Sequence, residues 1–149
     1  MKFLFLILLS ALLGFSCVER VFEVQEFVDS GQVCLTDDPF GQGDRVLLEE
    51  GDSLEVTVVF RECVSTCGVV EEKSCEVAVD GEVITVTSFA RERVEETRNL
   101  DCTAICNSFS TTCSGPPLAA GTYEVVHGTS IMELTIPTDP SEPACLEED

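Results

Sequence analysis

The segment "CEVAVDGEVITVTSF", residues 75–89, decides the fold of this chain. Apolar and polar residues alternate before Asp80-Gly81, at Val77 and Val79, and again after it. This period of two is that of a β-strand, whose successive side chains point to opposite faces of a sheet. An Asp-Gly pair between two alternating runs is a strong hairpin signal, because both turn positions need a positive φ. The segment therefore predicts an antiparallel hairpin.

Similar alternation marks the other strand candidates. They are residues 53–60, "SLEVTVVF", and a second hairpin built from residues 121–128 and 130–137, with further candidates earlier in the chain at residues 20–28, 32–35 and 45–50. Residues 91–99, "RERVEETRN", are interpreted as strand extension and loop rather than as a helix. Short alternating segments separated by turns are typical of all-β domains. We therefore predict an all-β fold, a small Ig-like β-sandwich or barrel of about seven short antiparallel strands stapled by disulfides.

The N-terminus has the composition of an export signal. Lys2 supplies a positive charge, and residues 3–13 form an apolar run in which only Ser10 is polar. An apolar run of about eleven residues has the length of a signal-peptide core, whereas a membrane-spanning helix needs about 20. We therefore predict that the chain is exported and that residues 1–16 are a signal peptide.

Two kinds of processing fit the segment that precedes Cys17. Gly14-Phe15-Ser16 places small residues three and one positions before Cys17, as ordinary signal peptidase requires. The segment from Leu12 to Cys17 also resembles a bacterial lipobox, in which a small residue precedes a cysteine that becomes lipidated and N-terminal. The resemblance implies that Cys17 is the lipidation site.

The number of cysteines favours lipidation. The chain has nine cysteines, and an odd number in an exported protein leaves one to be explained. Without Cys17, eight remain for four disulfides: Cys34, Cys63, Cys67, Cys75, Cys102, Cys106, Cys113 and Cys145. The alternative is cleavage by signal peptidase, with Cys17 left free or bridging two chains.

The spacing of the cysteines restricts their pairing. The patterns C-x3-C-x7-C and C-x3-C-x6-C begin at Cys63 and Cys102. Residues four apart on a strand are roughly 13 Å apart, whereas bonded cysteines have Cα atoms within about 7 Å. Our hypothesis therefore closes the two looser loops with the disulfides Cys67–Cys75 and Cys106–Cys113. The cysteines that are left then pair as Cys63–Cys102 and Cys34–Cys145. A coiled "CTAIC" at residues 102–106 would allow another arrangement.

The chain is strongly acidic. It has 28 Asp and Glu residues against 8 Lys and Arg residues, a formal net charge of −20. This charge argues against nucleic acid as a partner and against electrostatic adsorption to anionic lipids. Membrane attachment must then come from the lipid on Cys17. A basic protein or a divalent cation is an open alternative as a partner.

No metal site or cofactor is predicted. The export signal favours disulfides over thiolate ligands for the cysteines. Residues 36–44, "TDDPFGQGD", hold Asp37, Asp38 and Asp44 among glycines and could wrap calcium, but they lack the EF-hand spacing. A plain surface loop is the preferred interpretation of this segment.

The sequence also lacks common catalytic motifs. It contains no G-x-S-x-G, no H-E-x-x-H and no Gly-rich phosphate loop. "HGTS", residues 127–130, brings His127 near Ser130, but no third group is identified for a catalytic arrangement. We therefore expect the protein not to be an enzyme.

The signal, the repeated C-x3-C patterns and the closing segment "PPLAAGTYEVVHGTSIMELTIP" together resemble the small cysteine-rich predicted lipoproteins of Gram-negative bacteria. The resemblance covers about half of the chain and implies location and fold, not a catalytic residue. In such proteins Val18 as the second mature residue, rather than Asp, suggests the outer membrane.

These expectations divide the chain into three parts. Residues 1–16 are the signal peptide, residues 17–30 a tether that can include a first strand, and residues 31–149 a disulfide-rich β-domain with an acidic tail. We expect a lipid-anchored outer-membrane, periplasmic or cell-surface protein that acts as a non-catalytic binding or structural module. The alternative is a freely secreted disulfide-rich inhibitor or effector.

Overall fold

The structure is a computed structural model, and it describes residues 21–36, 38, 44–61, 64–96, 104–105 and 109–146. The described residues form ten strands and no helix, which confirms the predicted all-β class. In chain order the strands are β1 (Val21–Val28), β2 (Gln32–Cys34), β3 (Ser53–Arg61), β4 (Val64–Ser65), β5 (Gly68–Asp80), β6 (Val83–Glu96), β7 (Ala104–Ile105), β8 (Phe109–Pro117), β9 (Gly121–His127) and β10 (Ser130–Ile136).

The predicted hairpin at Asp80-Gly81 is the centre of a five-stranded sheet. It joins β5 to β6, but the turn is one residue later than predicted: Asp80 pairs with Val83 as the last residue of β5, so Gly81 and Glu82 form the turn. Gly81 has a φ of 62°, which glycine adopts without steric cost, whereas Asp80 does not have the positive φ expected of it. β6 is 14 residues long and pairs with β5 along one edge. On its other edge β6 pairs first with β9 and then with β1, and β10 completes the sheet beside β9.

One strand pair departs from the predicted antiparallel arrangement. β6 and β9 run parallel, with Val83 opposite Glu124 and Val86 opposite His127. The chain between them passes through the second sheet, so β9 returns to β6 in the same direction as β6 itself. All other strand pairs in the described residues are antiparallel.

A three-stranded sheet, ordered β2–β3–β8, packs with the five-stranded sheet around one core. Val56 and Val58 of β3 are buried, as are Ile84 and Val86 of β6. The buried cluster combines apolar residues of both sheets with residues of the connecting segments: Val33, Leu35, Leu48, Leu54, Val56, Val58, Val77, Ile84, Val86, Cys113, Leu118, Tyr123, Val125, Met132, Leu134, Ile136 and Leu146. A separate two-stranded ladder joins β4 to β7.

The strand predicted at residues 45–50 was wrong. Residues 45–50 do not form a strand, because their backbone bonds to two separate parts of the chain. The amide of Val46 donates to the carbonyl of Leu35, whereas that of Leu48 donates to the hydroxyl of Thr138. Only Leu48 of this segment is buried in the core.

Candidate functional site

The predicted lipidation site, Cys17, lies outside the described residues, as do Cys63, Cys102, Cys106 and Asp37. None of the described residues belongs to a helix of the length and apolar character needed to cross a membrane.

The structure joins Cys34 to Cys145, the pairing expected from the sequence. This disulfide fixes the C-terminal segment beside β2. The amide of Leu35 donates to the carbonyl of Ala144, and the amide of Leu146 donates to that of Val33. The C-terminal segment is therefore held by backbone hydrogen bonds on both sides of a covalent bond.

The pairings Cys67–Cys75 and Cys106–Cys113 are wrong, because Cys75 is bonded to Cys113. β5 runs without a turn from Gly68 to Asp80, so Cys67 and Cys75 are separated by extended chain. Eight extended residues span roughly 26 Å, far beyond the reach of a disulfide. Cys67 is also disulfide-bonded.

The proposed calcium loop is only partly described. The amide of Asp38 donates to the hydroxyl of Thr36 at 3.1 Å, a local turn contact, and Asp44 is exposed. In the part of the chain that the structure describes, no group of three or more His, Cys, Asp or Glu side chains is arranged to hold a metal ion.

His127 contacts a serine other than the one that follows it in the sequence. The Nε2 atom of His127 lies 2.9 Å from the Oγ atom of Ser88, and both side chains are buried. Asp29 also binds Ser88: the Ser88 amide donates to Oδ1 of Asp29 at 2.7 Å, and the Asp29 amide donates to the Ser88 carbonyl at 2.8 Å. The three residues come from the end of β1, the middle of β6 and the end of β9.

These contacts do not form a catalytic triad. A nucleophilic serine must reach a substrate, and the acidic residue must orient the imidazole. Here the Ser88 side chain is buried, and the Asp29 carboxylate accepts a hydrogen bond from a backbone amide. Because three different strands supply the residues, the arrangement links the ends of β1 and β9 to the middle of β6 within the five-stranded sheet.

An ion pair between the buried Glu92 and the partly exposed Arg61 lies on the inner side of the same sheet. The Glu92 side chain is fully buried, and its Oε2 atom is 3.3 Å from Nη1 of Arg61. Arg61 also donates to Oε1 of Gln25 at 2.9 Å and lies 5.0 Å from the ring centroid of Phe27. The second carboxylate oxygen of Glu92 has no hydrogen-bond partner among the described residues. The interpretation of residues 91–99 as strand extension and loop did not predict that Glu92 is buried and paired with Arg61.

The outer face of the sheet at this end is exposed and partly apolar. Arg93 lies between Val24 of β1 and Val69 of β5, which are its neighbours in the two ladders. Its guanidinium is 4.8 Å from the ring centroid of Phe22. We name the exposed residues Phe22, Val24 and Val69, which share this face of the sheet, the apolar corner.

Ion pairs offset part of the acidic charge beside the apolar corner. Arg91 donates to Glu26 at 2.7 Å, and Nε of Arg93 lies 3.3 Å from the Glu71 carboxylate. The hydrogen bond to Glu26, with the attraction of its negative charge, raises the pKa of Arg91 above its ordinary value. Arg91 is therefore a fixed positive charge on an otherwise acidic molecule.

An open depression of about 390 Å³ lies at the opposite end of the sheet. Glu82, Glu124 and Glu133 line it together with Val83 and Ile131. Glu124 and Glu133 are directly opposite each other across the β9–β10 ladder, where like charges repel. A group of exposed carboxylates alone does not define a binding site.

Comparisons with protein-family models, with curated proteins and with solved structures found no match for this chain.

Proposed function

We propose that the protein is exported, is anchored in the cell envelope by a lipid on Cys17, and acts as a non-catalytic binding or structural β-domain, with the outer membrane as its favoured location. The observation that carries this proposal is the state of the cysteines. All five cysteines in the described residues are disulfide-bonded: Cys34, Cys67, Cys75, Cys113 and Cys145. Disulfides persist in oxidising compartments. Cys17 is the odd cysteine, and it directly follows the predicted export signal.

The sole histidine supports a non-catalytic role. A general base must reach the proton that it removes from a substrate or nucleophile. His127 is only 2% exposed, and it bonds to Ser88 in the interior. A binding or structural role requires only the exposed faces of the domain.

The arrangement of the two sheets supports an Ig-like sandwich as the finer description of the fold. Their buried residues form one shared core, and the Cys75–Cys113 disulfide joins β5 of one sheet to β8 of the other. Such a sandwich leaves two outer sheet faces for contacts with other molecules.

A freely secreted protein is the second candidate, since disulfides and an acidic surface suit it equally well. Detergent phase partitioning of the expressed protein separates the two candidates. We expect the wild type in the detergent phase and the Cys17→Ala variant in the aqueous phase or uncleaved, with Val18→Ala as the matched control that keeps the wild-type behaviour. A wild-type protein found in the aqueous phase would favour secretion.

A further inference from the structure

The distance from the predicted anchor to the folded domain is short. β1 begins at Val21, so only three residues separate it from Cys17. Fully extended, the chain spans about 3.5 Å per residue, so Cys17 and Val21 lie at most about 14 Å apart. A lipid on Cys17 would therefore hold the start of β1 close to the bilayer surface.

Exposed apolar side chains are concentrated at that end of the domain. Among the described residues ten large hydrophobic side chains are exposed, and five of them lie at this end of the sheet. Three of these five form the apolar corner, whereas Val21 and Val70 are on the opposite face. Phe22, Val24 and Val69 have 43%, 52% and 55% of their surface exposed. Val24 and Val69 lie on either side of Arg93, and Phe22 lies against its guanidinium, so these side chains are close together in space.

The charges at the corner suit a lipid headgroup region better than those elsewhere on the domain. Arg91 pairs there with Glu26 and Glu72, and Arg93 pairs with Glu71. Although Glu95 lies opposite Phe22, the two arginines offset part of the acidic charge at this end, whereas three glutamates line the depression at the far end. Aliphatic and aromatic side chains next to arginine are typical of surfaces that lie in a membrane interface.

We infer that the apolar corner docks on the lipid bilayer next to the anchor and holds the domain against the membrane. This inference rests on the proposed lipidation of Cys17. A second copy of the chain is a poorer occupant, because each copy has a formal net charge of −20 and copies therefore repel one another.

Tryptophan fluorescence tests the docking directly, since the chain contains no Trp. We would prepare the acylated Phe22→Trp protein in phosphatidylcholine vesicles with and without brominated acyl chains. The matched control is Ile131→Trp, at an exposed position on β10 that is 47% accessible. We expect bromine to quench the Phe22→Trp protein at least twofold more strongly than the Ile131→Trp protein. Equal quenching in the two proteins would overturn the inference.

Two further variants separate docking from the effect of a short tether. Insertion of twelve Gly and Ser residues between Arg20 and Val21 should leave the quenching of the Phe22→Trp protein unchanged, because the corner itself binds lipid. Adding Val24→Glu and Val69→Glu should reduce it to the level of the Ile131→Trp control. Loss of quenching on insertion, or its persistence in the glutamate variant, would contradict docking through this corner.

The same samples distinguish failure of this inference from failure of the proposed function. If the protein does not float with the vesicles, the lipid anchor itself is wrong and the docking falls with it. If the protein floats but the Phe22→Trp and Ile131→Trp signals are equally quenched, only the docking is wrong. A Phe22→Trp emission that shifts to the blue with protein concentration, without lipid, would identify the corner as a contact between copies and would also overturn the inference.

Discussion

Cys75 on β5 is covalently joined to Cys113 on β8, with Cα atoms 5.6 Å apart. The bond connects the central five-stranded sheet to the three-stranded sheet, and it lies beside Val77, whose side chain packs closely against Gly115. The other described disulfide, Cys34–Cys145, joins β2 to the C-terminal segment. The first bond therefore links the two sheets, and the second holds the C-terminal segment to the three-stranded sheet.

The first prediction concerns the contribution of these bonds to stability. On the loop-entropy model, removal of the Cys75–Cys113 bond should lower the free energy of unfolding by about 4 kcal/mol, and removal of the Cys34–Cys145 bond by about 5 kcal/mol. Urea unfolding of the double variants Cys75→Ala/Cys113→Ala and Cys34→Ala/Cys145→Ala measures both values. Since domains are commonly stable by only about 5–15 kcal/mol, reduction of the wild type should unfold it near room temperature.

Treatment with EDTA is the control for this prediction, because no metal is expected to stabilise the domain. It should leave the urea midpoint unchanged. Equal urea midpoints for the reduced and oxidised proteins would show that the disulfides do not hold the fold together.

The second prediction concerns the ion pair between the partly exposed Arg61 and the buried Glu92. Arg61→Met leaves the Glu92 carboxylate buried without its partner and should destabilise the domain by about 3 kcal/mol. Arg61→Met combined with Glu92→Leu should recover most of that loss, because no unpaired carboxylate then remains in the core. Chemical unfolding of the single and double variants gives the coupling between the two positions.

Arg91→Met is the matched control for the ion pair, since it breaks the exposed pair with Glu26. It should change stability little, because solvent screens such pairs. A double variant that is less stable than Arg61→Met alone would show that the Glu92 carboxylate makes other favourable contacts.

The third prediction compares two glycines in hairpin turns. Gly81 and Gly128 have φ values of 62° and 61°, so alanine is strained by the same backbone conformation at both. A Cβ atom at Gly81 would meet no atom within 4 Å, whereas one at Gly128 would collide with the carbonyl oxygen of Asp29. We expect Gly81→Ala to cost about 1 kcal/mol and Gly128→Ala about 3 kcal/mol. Thermal unfolding that ranks the two variants equally would contradict the docking of Asp29 on this turn.

The fourth prediction concerns pH. The amide and the hydroxyl of Ser141 both donate to the Asp139 carboxylate, at 2.8 Å and 2.7 Å, and lower the pKa of Asp139 below its ordinary value. A carboxyl whose pKa is lower in the folded state stabilises the fold above its unfolded pKa of about 3.9 and loses that contribution as the pH falls through the folded value.

Asp139→Asn should therefore lower the Tm at pH 6 and have progressively less effect below about pH 4, where the wild-type carboxyl becomes neutral too. Ser141→Ala, which keeps the amide donor, should show part of the same pH dependence. A Tm difference between wild type and Asp139→Asn that is constant from pH 2 to pH 6 would be inconsistent with this assignment.

The period of two made the all-β class predictable. Apolar and polar residues alternate along β5 and β6 because one face of these strands is buried and the other is exposed to solvent, as at Val77, Val79, Ile84 and Val86. β8 was missed, because "FSTTCSGPP" is rich in serine, threonine, glycine and proline, which are typical of loops. Its backbone pairing with β3 overrides that local preference.

The contacts of the candidate site could not be predicted from local spacing. Ser88 and His127 are 39 residues apart, and the disulfide partners Cys75 and Cys113 are 38 apart. Such pairs are brought together only by the order of the strands in the sheets. The short loops between cysteines that are neighbours in the sequence therefore predicted the wrong disulfides. The apolar corner likewise depends on β1 and β5 lying on opposite edges of β6.

Intact-mass spectrometry of the mature protein, purified from membranes, tests the central claim most directly. The account predicts a chain that begins at Cys17, carries acyl groups on that residue, and has its other eight cysteines oxidised, so that a thiol-alkylating reagent adds no mass before reduction. An unmodified Cys17 at the mature N-terminus, or a mature chain that begins elsewhere, would contradict the lipid anchor.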